Sequence, residues 1–273
     1  MKIGICSIQR NRGKWLTEWI AFHHLVGCTD FYLYLHKCTD NSKEIINNLT
    51  KFFNIKCFEI GDINRPQLAA YQHCYQNFGH EIDWMAFIDG DEFLFPSNMN
   101  NISDVLKYYQ YQKVSALGVY WQCFGSSGHI EDPNGLIIED YIYRANLDFH
   151  GNRHIKSIVK GNQGEYCSIG ANAHLFNTIY GTFDELMRPI NNGLMDSLVP
   201  SYEKIRINHY VCQSLQFFKE FKQLSGSADA GSNSIRSDEW WSNVDRNDEK
   251  NFEIQRFLPD LNKILIDINF LIK

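Results

Sequence analysis

Trp84-Met85-Ala86-Phe87-Ile88-Asp89-Gly90-Asp91-Glu92-Phe93-Leu94 is the stretch whose reading decides the fold. An apolar run stops abruptly at three carboxylates within four residues. Charge without a partner is strongly disfavoured away from water, so carboxylates beside a buried strand imply something positive nearby. In an extended chain, residues two apart project to the same side, which lets Asp89 and Asp91 act together. Gly90 between them permits a bend or the close approach of a ligand. Hard divalent cations such as Mn²⁺ or Mg²⁺ take oxygen ligands, so an Asp-x-Asp at the tip of a buried strand predicts a metal that holds phosphate. Glu92 fits either a supporting position behind that pair or an internal ion pair.

Working outward from this stretch, strands and helices alternate. Residues 3–8 read as a strand. A helix over 14–26 carries Trp15, Trp19, Phe22 and Leu25 or Val26 on one face, with Gly27 as its C-terminal cap. Residues 31–35 form a second strand, and the turn Thr39–Ser42 caps a helix reaching Phe53. Residues 55–60 are a third strand, 66–78 a helix with Pro66 in its first turn, and 84–88 a fourth strand. Four alternations predict an α/β fold with a doubly wound, mostly parallel sheet, in which ligands bind beyond the carboxyl ends of the strands. The Asp-x-Asp stands at such an end. Beyond residue 96 the pattern predicts a helix over 103–111 and strands over 114–124, 136–144, 155–160 and 205–212, read as antiparallel additions. A helix over 214–224, a Gly/Ser/Asp/Asn-rich loop over 225–237 and a C-terminal helix from Pro259 follow. The expected organisation is one domain over 1–212 (a nucleotide-binding half, 1–96, and an acceptor half, 97–212) with a helical extension, 213–273, packed on it.

Composition bounds the function. The 273 residues are 44% hydrophobic and 14% aromatic, enough for a full core and too apolar for disorder. A formal net charge of −6 argues against a nucleic-acid partner, which usually meets a basic face. Neither a secretory leader pattern nor an apolar run of the ~20 residues a membrane helix needs is visible, so a cytoplasmic location is expected. The apolar tail is expected to pack on the domain rather than support peripheral membrane association, because its polar face is not basic. None of the eight cysteines forms a C-x-x-C pair, and buried free thiols are expected.

Ile205-Arg206-Ile207-Asn208-His209-Tyr210-Val211 is the second informative segment. His209 ends an alternating strand and becomes a ligand candidate once a metal is proposed, since Mn²⁺ accepts imidazole beside carboxylate. Phe124-Gly125-Ser126-Ser127-Gly128-His129 is either a loop that holds phosphate or sugar hydroxyls, or an ordinary turn. His154 and Lys156 share a face. Lys156 suits the neutralising of a leaving phosphate, although a solvated lysine is the better reading from the residues alone. Ser7, Gln9, Arg10, Asn11 and Arg12 follow the first strand, at the edge where nucleotides bind in such sheets. G-x-x-x-x-G-K-[ST] and G-x-G-x-x-G are both absent, which weakens kinase-like and dinucleotide readings.

Taken in order, these residues resemble glycosyltransferase family 92 and its bacterial relatives, which share a GT-A-type fold. The resemblance runs through Asn11, Trp15–His23, Gly27, Thr39-Asp40, Gln67–Cys74, Asp83–Leu94, Phe124–His129, His154–Lys156 and Ile207–Tyr210. It implies metal-dependent, inverting transfer of a sugar, often galactose from UDP-galactose, to a glycan or polysaccharide acceptor. On that basis Asp89 and Asp91 with His209 are the expected Mn²⁺ or Mg²⁺ ligands. Ser7, Arg10, Asn11, Asp40, Gln67, Asp89, Gly90 and Lys156 are expected on the donor side, and Gly125, Ser126, Ser127 and His129 on the acceptor side. Asp229 is the first candidate for the base, with Glu139, Asp245 and Asp248 behind it. Trp121, Trp240 and Trp241 suit stacking on acceptor sugars or plain core packing. The chain departs from the family at Arg12 and Gln213, where an acidic and a basic residue are common, and over 224–229, where a basic stretch is common. Two rivals remain. A haloacid-dehalogenase-type phosphatase usually has Thr or Val where Phe93 stands, and a sugar-binding module on a degenerate transferase fold needs no catalysis.

Overall fold

The structure is a computed structural model and describes residues 1–225 and 235–272. Its N-terminal part follows the alternation read from the chain: β1 (Ile3–Gln9), α1 (Gly13–Leu25), β2 (Asp30–His36), α2 (Ser42–Leu49), β3 (Asn54–Ile60), α3 (Pro66–Phe78) and β4 (Trp84–Phe87). Successive residues of β2 serve opposite faces, as the pleat requires. Phe31, Leu33 and Leu35 join Trp15, Trp19 and Phe22 of α1 in one core, while Tyr32 and Tyr34 join Tyr71, Cys74 and Phe87 in the other. Gly27, at φ 105, turns the chain out of α1 where a Cβ would strike Asn101. α2 stops short of Phe53. The amides of Phe52 and Phe53 both donate to the Leu49 carbonyl, and this closing turn brings Phe53 against Phe31 at 6.3 Å between ring centres.

Six further strands complete the sheet: β5 (Glu92–Pro96), β6 (Ala116–Cys123), β7 (Ile155–Lys160), β8 (Thr182–Phe183), β9 (Pro189–Ile190) and β10 (Ile205–His209). Among the described residues the order is β9-β8-β6-β7-β4-β1-β2-β3, with β10 beside the end of β6 and carrying β5 on its other edge. The pairs β1/β2, β2/β3, β1/β4, β6/β8 and β6/β10 are parallel, and β4/β7, β6/β7, β8/β9 and β5/β10 antiparallel. The fold is thus α/β with a mostly parallel sheet and antiparallel additions. The β10 register matters most for function. His209 lies opposite Glu92 on one side and Cys123 on the other, and the amide of Tyr210 donates to the Asp91 carbonyl at 2.9 Å. A segment far along the chain is thereby stitched onto the Asp-x-Asp.

Two expectations are corrected, and one helix is added. The strand expected over 136–144 is a helical turn, Ile137–Asp140, followed by the two-residue strand Tyr143–Arg144. The cause is a distant cap: Glu18 on α1 accepts from the amides of Ile137 and Ile138 at 2.8 and 3.1 Å. The helix expected over 214–224 begins after Ser214, whose hydroxyl accepts from the Phe217 amide, but it widens into a π-turn at Phe218–Lys222 before Gln223–Ser225. A helix at Asp238–Val244 stands where the loop signals gave way, capped by Ser237. The C-terminal helix, Leu258–Ile272, buries Leu261 and Ile268 against the main core and leaves Ile266, Phe270 and Leu271 outward. Among the described residues no helix is long and apolar enough to cross a membrane. All eight cysteines are free, six of them buried.

Candidate functional site

β1, β4 and β10 end together, and a cavity of about 340 Å³ opens beyond their carboxyl ends. Arg10, Arg12, Lys156, Lys222 and Arg236 line it together with Asp89, Gly90, Asp91, Gln67, Trp121 and His209. Five cationic side chains against two carboxylates give a surplus of positive charge suited to a compact polyanion.

Each acidic residue of the motif meets a different set of partners. Asp89 accepts from Lys156 Nζ at 2.9 Å on one oxygen, and from Gln67 Nε2 at 2.5 Å and the Tyr71 hydroxyl at 3.1 Å on the other. Glu92 turns inward and is fully buried. Its Oε2 accepts from the Asp89 amide at 2.9 Å, while Oε1 lies 3.8 Å from Lys156 without a hydrogen bond. Burial raises the Glu92 carboxyl well above the usual range, against the pull of Lys156, and the negative charges of Asp89 and Asp91 push it further. Asp91 pairs with Lys222, and its Oδ1 lies 3.7 Å from His209 Nε2. Burial opposes ionisation of Asp91, but Lys222, His209 and Arg12 outweigh it and hold the acid well below the usual carboxylate range. For Asp89 the opposing charge that wins against burial is Lys156.

The backbone between them is clamped. Arg12 lies over the rings of Trp15 and Phe217, at 4.5 and 5.1 Å, and donates to the Gly90 carbonyl and to Gln213 Oε1, both at 2.9 Å. A Cβ on residue 90 would meet the end of the Gln9 side chain, which would have to shift. The two departures from the family pattern, Arg12 and Gln213, therefore touch each other.

Asp91 and His209 have the chemistry of a divalent-ion site. Burial lowers the pKa of His209, which favours the neutral imidazole that a ligand must be, and among the described residues its buried Nδ1 has no hydrogen-bond partner. Asp89 does not share in it as arranged, because its oxygens are taken by Lys156, Gln67 and Tyr71. Among the described residues no group of three or more His, Cys, Asp or Glu side chains converges. The residues fit an ion held by one carboxylate and one imidazole, with its remaining positions filled by water and phosphate.

Arg10, Gln67, Gly90, Lys156 and His209 of the expected residues line the cavity with the two aspartates. Lys156 is not solvated: its side chain is 1% exposed. Ser7 lies below the cavity, accepting from Gln9 Nε2 at 2.8 Å. Asn11 and Asp40 build the turns around α1, Asn11 accepting from the Thr39 amide at 2.7 Å and Asp40 from the Gly13 amide at 2.9 Å. The Gly125–His129 loop faces a different region. Ser126 bonds to Asp245, the Ser127 amide donates to Asn247, the Ser127 hydroxyl accepts from Ile142 and Tyr143, and His129 meets the Asp140 carbonyl. Asp245 is committed to that loop, and Asp248 to Arg246 and the Asn146 amide. Glu139 is exposed and away from the cavity lining. Asp229 lies outside the described residues. Of the tryptophans, Trp121 and Trp240 line the cavity, whereas Trp241 packs on Phe218. Lys222, Arg236 and His174 also line it and were not singled out from the sequence. Lys222 follows the aromatic stripe Phe217, Phe218 and Phe221, but nothing local marks it as different from Lys219.

The chain is 28% identical over 220 residues to a glycosyltransferase family 92 protein of Oryza sativa, covering 79% of this chain and 34% of that protein. It is 28% identical over 222 residues to a family 92 protein of Ricinus communis, covering 79% and 36%. The chain thus spans about a third of the length of these relatives. Among solved structures it is similar to S. aureus TarS in complex with UDP, at 13% identity and a TM-score of 0.39, covering 59% of this chain and 47% of that one. The model of the family described as Glycosyltransferase family 92 matches residues 2–243, nearly the whole chain, and the chain belongs to that family.

Proposed function

We propose that this protein is a glycosyltransferase that moves a sugar, galactose being the first to test, from a UDP-sugar to a glycan or polysaccharide acceptor, with inversion and with a divalent ion at Asp91 and His209. The observation that carries the reading is the convergence of Asp91 and His209 in a cavity that five arginine and lysine side chains also line. Such a wall has no use for a neutral ligand, and a nucleoside diphosphate supplies the missing negative charge. The bound ion, Mn²⁺ or Mg²⁺, would neutralise charge that builds on the departing diphosphate. Lys156 reaches the cavity from β7 and is fixed by Asp89, which places a second cation without a search through rotamers. Arg12 fixes the backbone of Gly90 and so the direction of the Asp91 side chain. Gln67 and Tyr71 hold Asp89 as an acceptor-only group at the floor. Trp121, stacked on His154, and Trp240, stacked on Phe218, give the cavity two aromatic wall positions.

The test is a panel of nucleotide sugars incubated with the enzyme and Mn²⁺, read as release of nucleoside diphosphate, together with thermal stabilisation by UDP with and without the ion. The reading predicts release from one donor class, Mn²⁺-dependent stabilisation by UDP, and loss of both in Asp91→Asn. Undiminished turnover in that variant, or indifference to every nucleotide, overturns it.

A further inference from the structure

Asp91 already carries a cation. Lys222 pairs with its Oδ2 while His209 stands at Oδ1, so the carboxylate that the proposed ion needs is neutralised from within the chain. The placement of Lys222 is built rather than incidental. It is the last residue of the π-turn Phe218–Lys222, a local widening that often marks functional positions in helices. Arg236 donates to the Lys222 carbonyl at 2.8 Å, and the Arg236 amide to the Gln223 carbonyl at 3.2 Å. Trp240 lies parallel to Phe218 at 5.8 Å, holding the same turn from its other side. The Lys222 side chain is only 15% exposed and lines the cavity.

An ammonium and a divalent ion in contact with one carboxylate repel each other strongly in a partly desolvated site. We propose that Lys222 is an exchangeable counter-ion. It neutralises Asp91 while the donor site is empty, and when a nucleoside diphosphate and its divalent ion arrive the ammonium passes from Asp91 to the diphosphate. This rests on the transferase reading above and adds a role for one residue within it. The exchange has two consequences. The ion binds weakly to the donor-free enzyme, because it must displace Lys222. Ion and nucleotide then bind with positive coupling beyond their own chelation, because the phosphates supply the displaced ammonium with a new partner, and such coupling is reciprocal. Lys222 thus acts on the ion and on the nucleotide in opposite directions, whereas a residue with only a structural role would weaken both.

The experiment titrates Mn²⁺ into the protein without nucleotide, following unbound Mn²⁺ by its paramagnetic resonance signal, in the wild type, Lys222→Met and Asp91→Asn. UDP affinity at saturating Mn²⁺ is measured alongside. Lys222→Met should bind Mn²⁺ alone at least about tenfold more tightly than the wild type and bind UDP at least about tenfold more weakly. Should Lys222→Met not fold, Lys222→Gln, which keeps a hydrogen-bond donor and loses the charge, replaces it. Unchanged or weakened Mn²⁺ binding in a folded Lys222 variant, with Asp91→Asn still abolishing it, overturns the exchange and leaves the metal site standing. Mn²⁺ binding that survives Asp91→Asn removes the metal site itself, and the exchange with it.

Discussion

Asp89 and Asp91 are two residues apart in one motif and meet opposite environments. Asp89 faces back into the sheet: a lysine from β7 and a glutamine and a tyrosine from α3 hold it, all from well-packed elements. Asp91 faces forward, and its partners come from β10 and from the π-turn at Phe218–Lys222, segments more than a hundred residues downstream. The difference teaches that an Asp-x-Asp need not be a symmetric clamp. One carboxylate is fixed to position a lysine, and the other is left with partners that a ligand can replace. Asp91→Asn tests the replaceable side and should have the largest effect. Turnover is expected to fall about a thousandfold, roughly 4 kcal/mol of transition-state stabilisation, and the melting temperature to fall as well, because Lys222, only 15% exposed, loses its partner. Initial rates of diphosphate release and a thermal melt check both halves. Undiminished turnover in a variant whose melting temperature is lowered would place Asp91 with Asp89 as a structural group.

Glu18 sharpens the contrast as a buried carboxylate that no salt bridge compensates. Burial pushes its pKa up to about 7, against the two amide hydrogen bonds from Ile137 and Ile138 and the pull of Arg12. A folded-state pKa above the unfolded value of about 4.5 means that the folded form binds the extra proton. Its stabilising contribution is therefore full below about pH 4.5 and is lost as pH rises to about 7, a difference of about 3 kcal/mol. Glu18→Gln removes that titration. Urea unfolding at pH 5 and pH 7.5 should show the variant gaining on the wild type by up to that amount as pH rises. A gap that does not change with pH would mean that Glu18 is ionised in the fold.

Asp89→Asn tests the fixed side. Lys156 is buried beneath it and would lose its 2.9 Å carboxylate partner. Breaking a buried pair from one side is destabilising. The Asp89 side chain is 32% exposed, which lets water reach the site and brings the expected loss to about 2 kcal/mol in urea unfolding. Stability unchanged by this substitution would mean that Asp89 does not hold Lys156 in the fold.

Much of this was readable in the chain, and the boundary is physical. The β1-to-β4 alternation was legible because period and caps are local: Pro66–Phe78 begins at its proline, and Gly27 stands at the end of α1 as a positive-φ glycine should. Asp91 and His209 were legible because residue chemistry and strand ends suffice to flag them. What failed depended on partners distant in sequence. The strand expected over 136–144 became a helical turn because Glu18, on another element, caps it. Lys156 passed for a surface lysine because its burial depends on Asp89 and Glu92 meeting it across the sheet. Ser126 and Ser127 promised a ligand loop because their real partners, Asp245 and Asn247, arrive from the C-terminal segment. Lys222 was invisible since a π-turn has no sequence signature of its own.

The smallest expected effect concerns the clamp beneath the motif. Gln213 is fully buried at φ 52 and gives Arg12 one acceptor, yet its own Nε2 has no partner. Gln213→Ala removes a hydrogen bond to a charged group and at the same time removes a buried donor that was unsatisfied, so the two effects partly cancel, to about 1 kcal/mol. Arg12 keeps the Gly90 carbonyl and its two aromatic faces. Donor KM should rise a few-fold with kcat almost unchanged, since the direction of Asp91 is set through Gly90. A collapse of kcat comparable to that of Asp91→Asn would show the opposite: that Gln213 holds Arg12, and through it the exchangeable carboxylate, so that Asp91 too depends on a fixed framework.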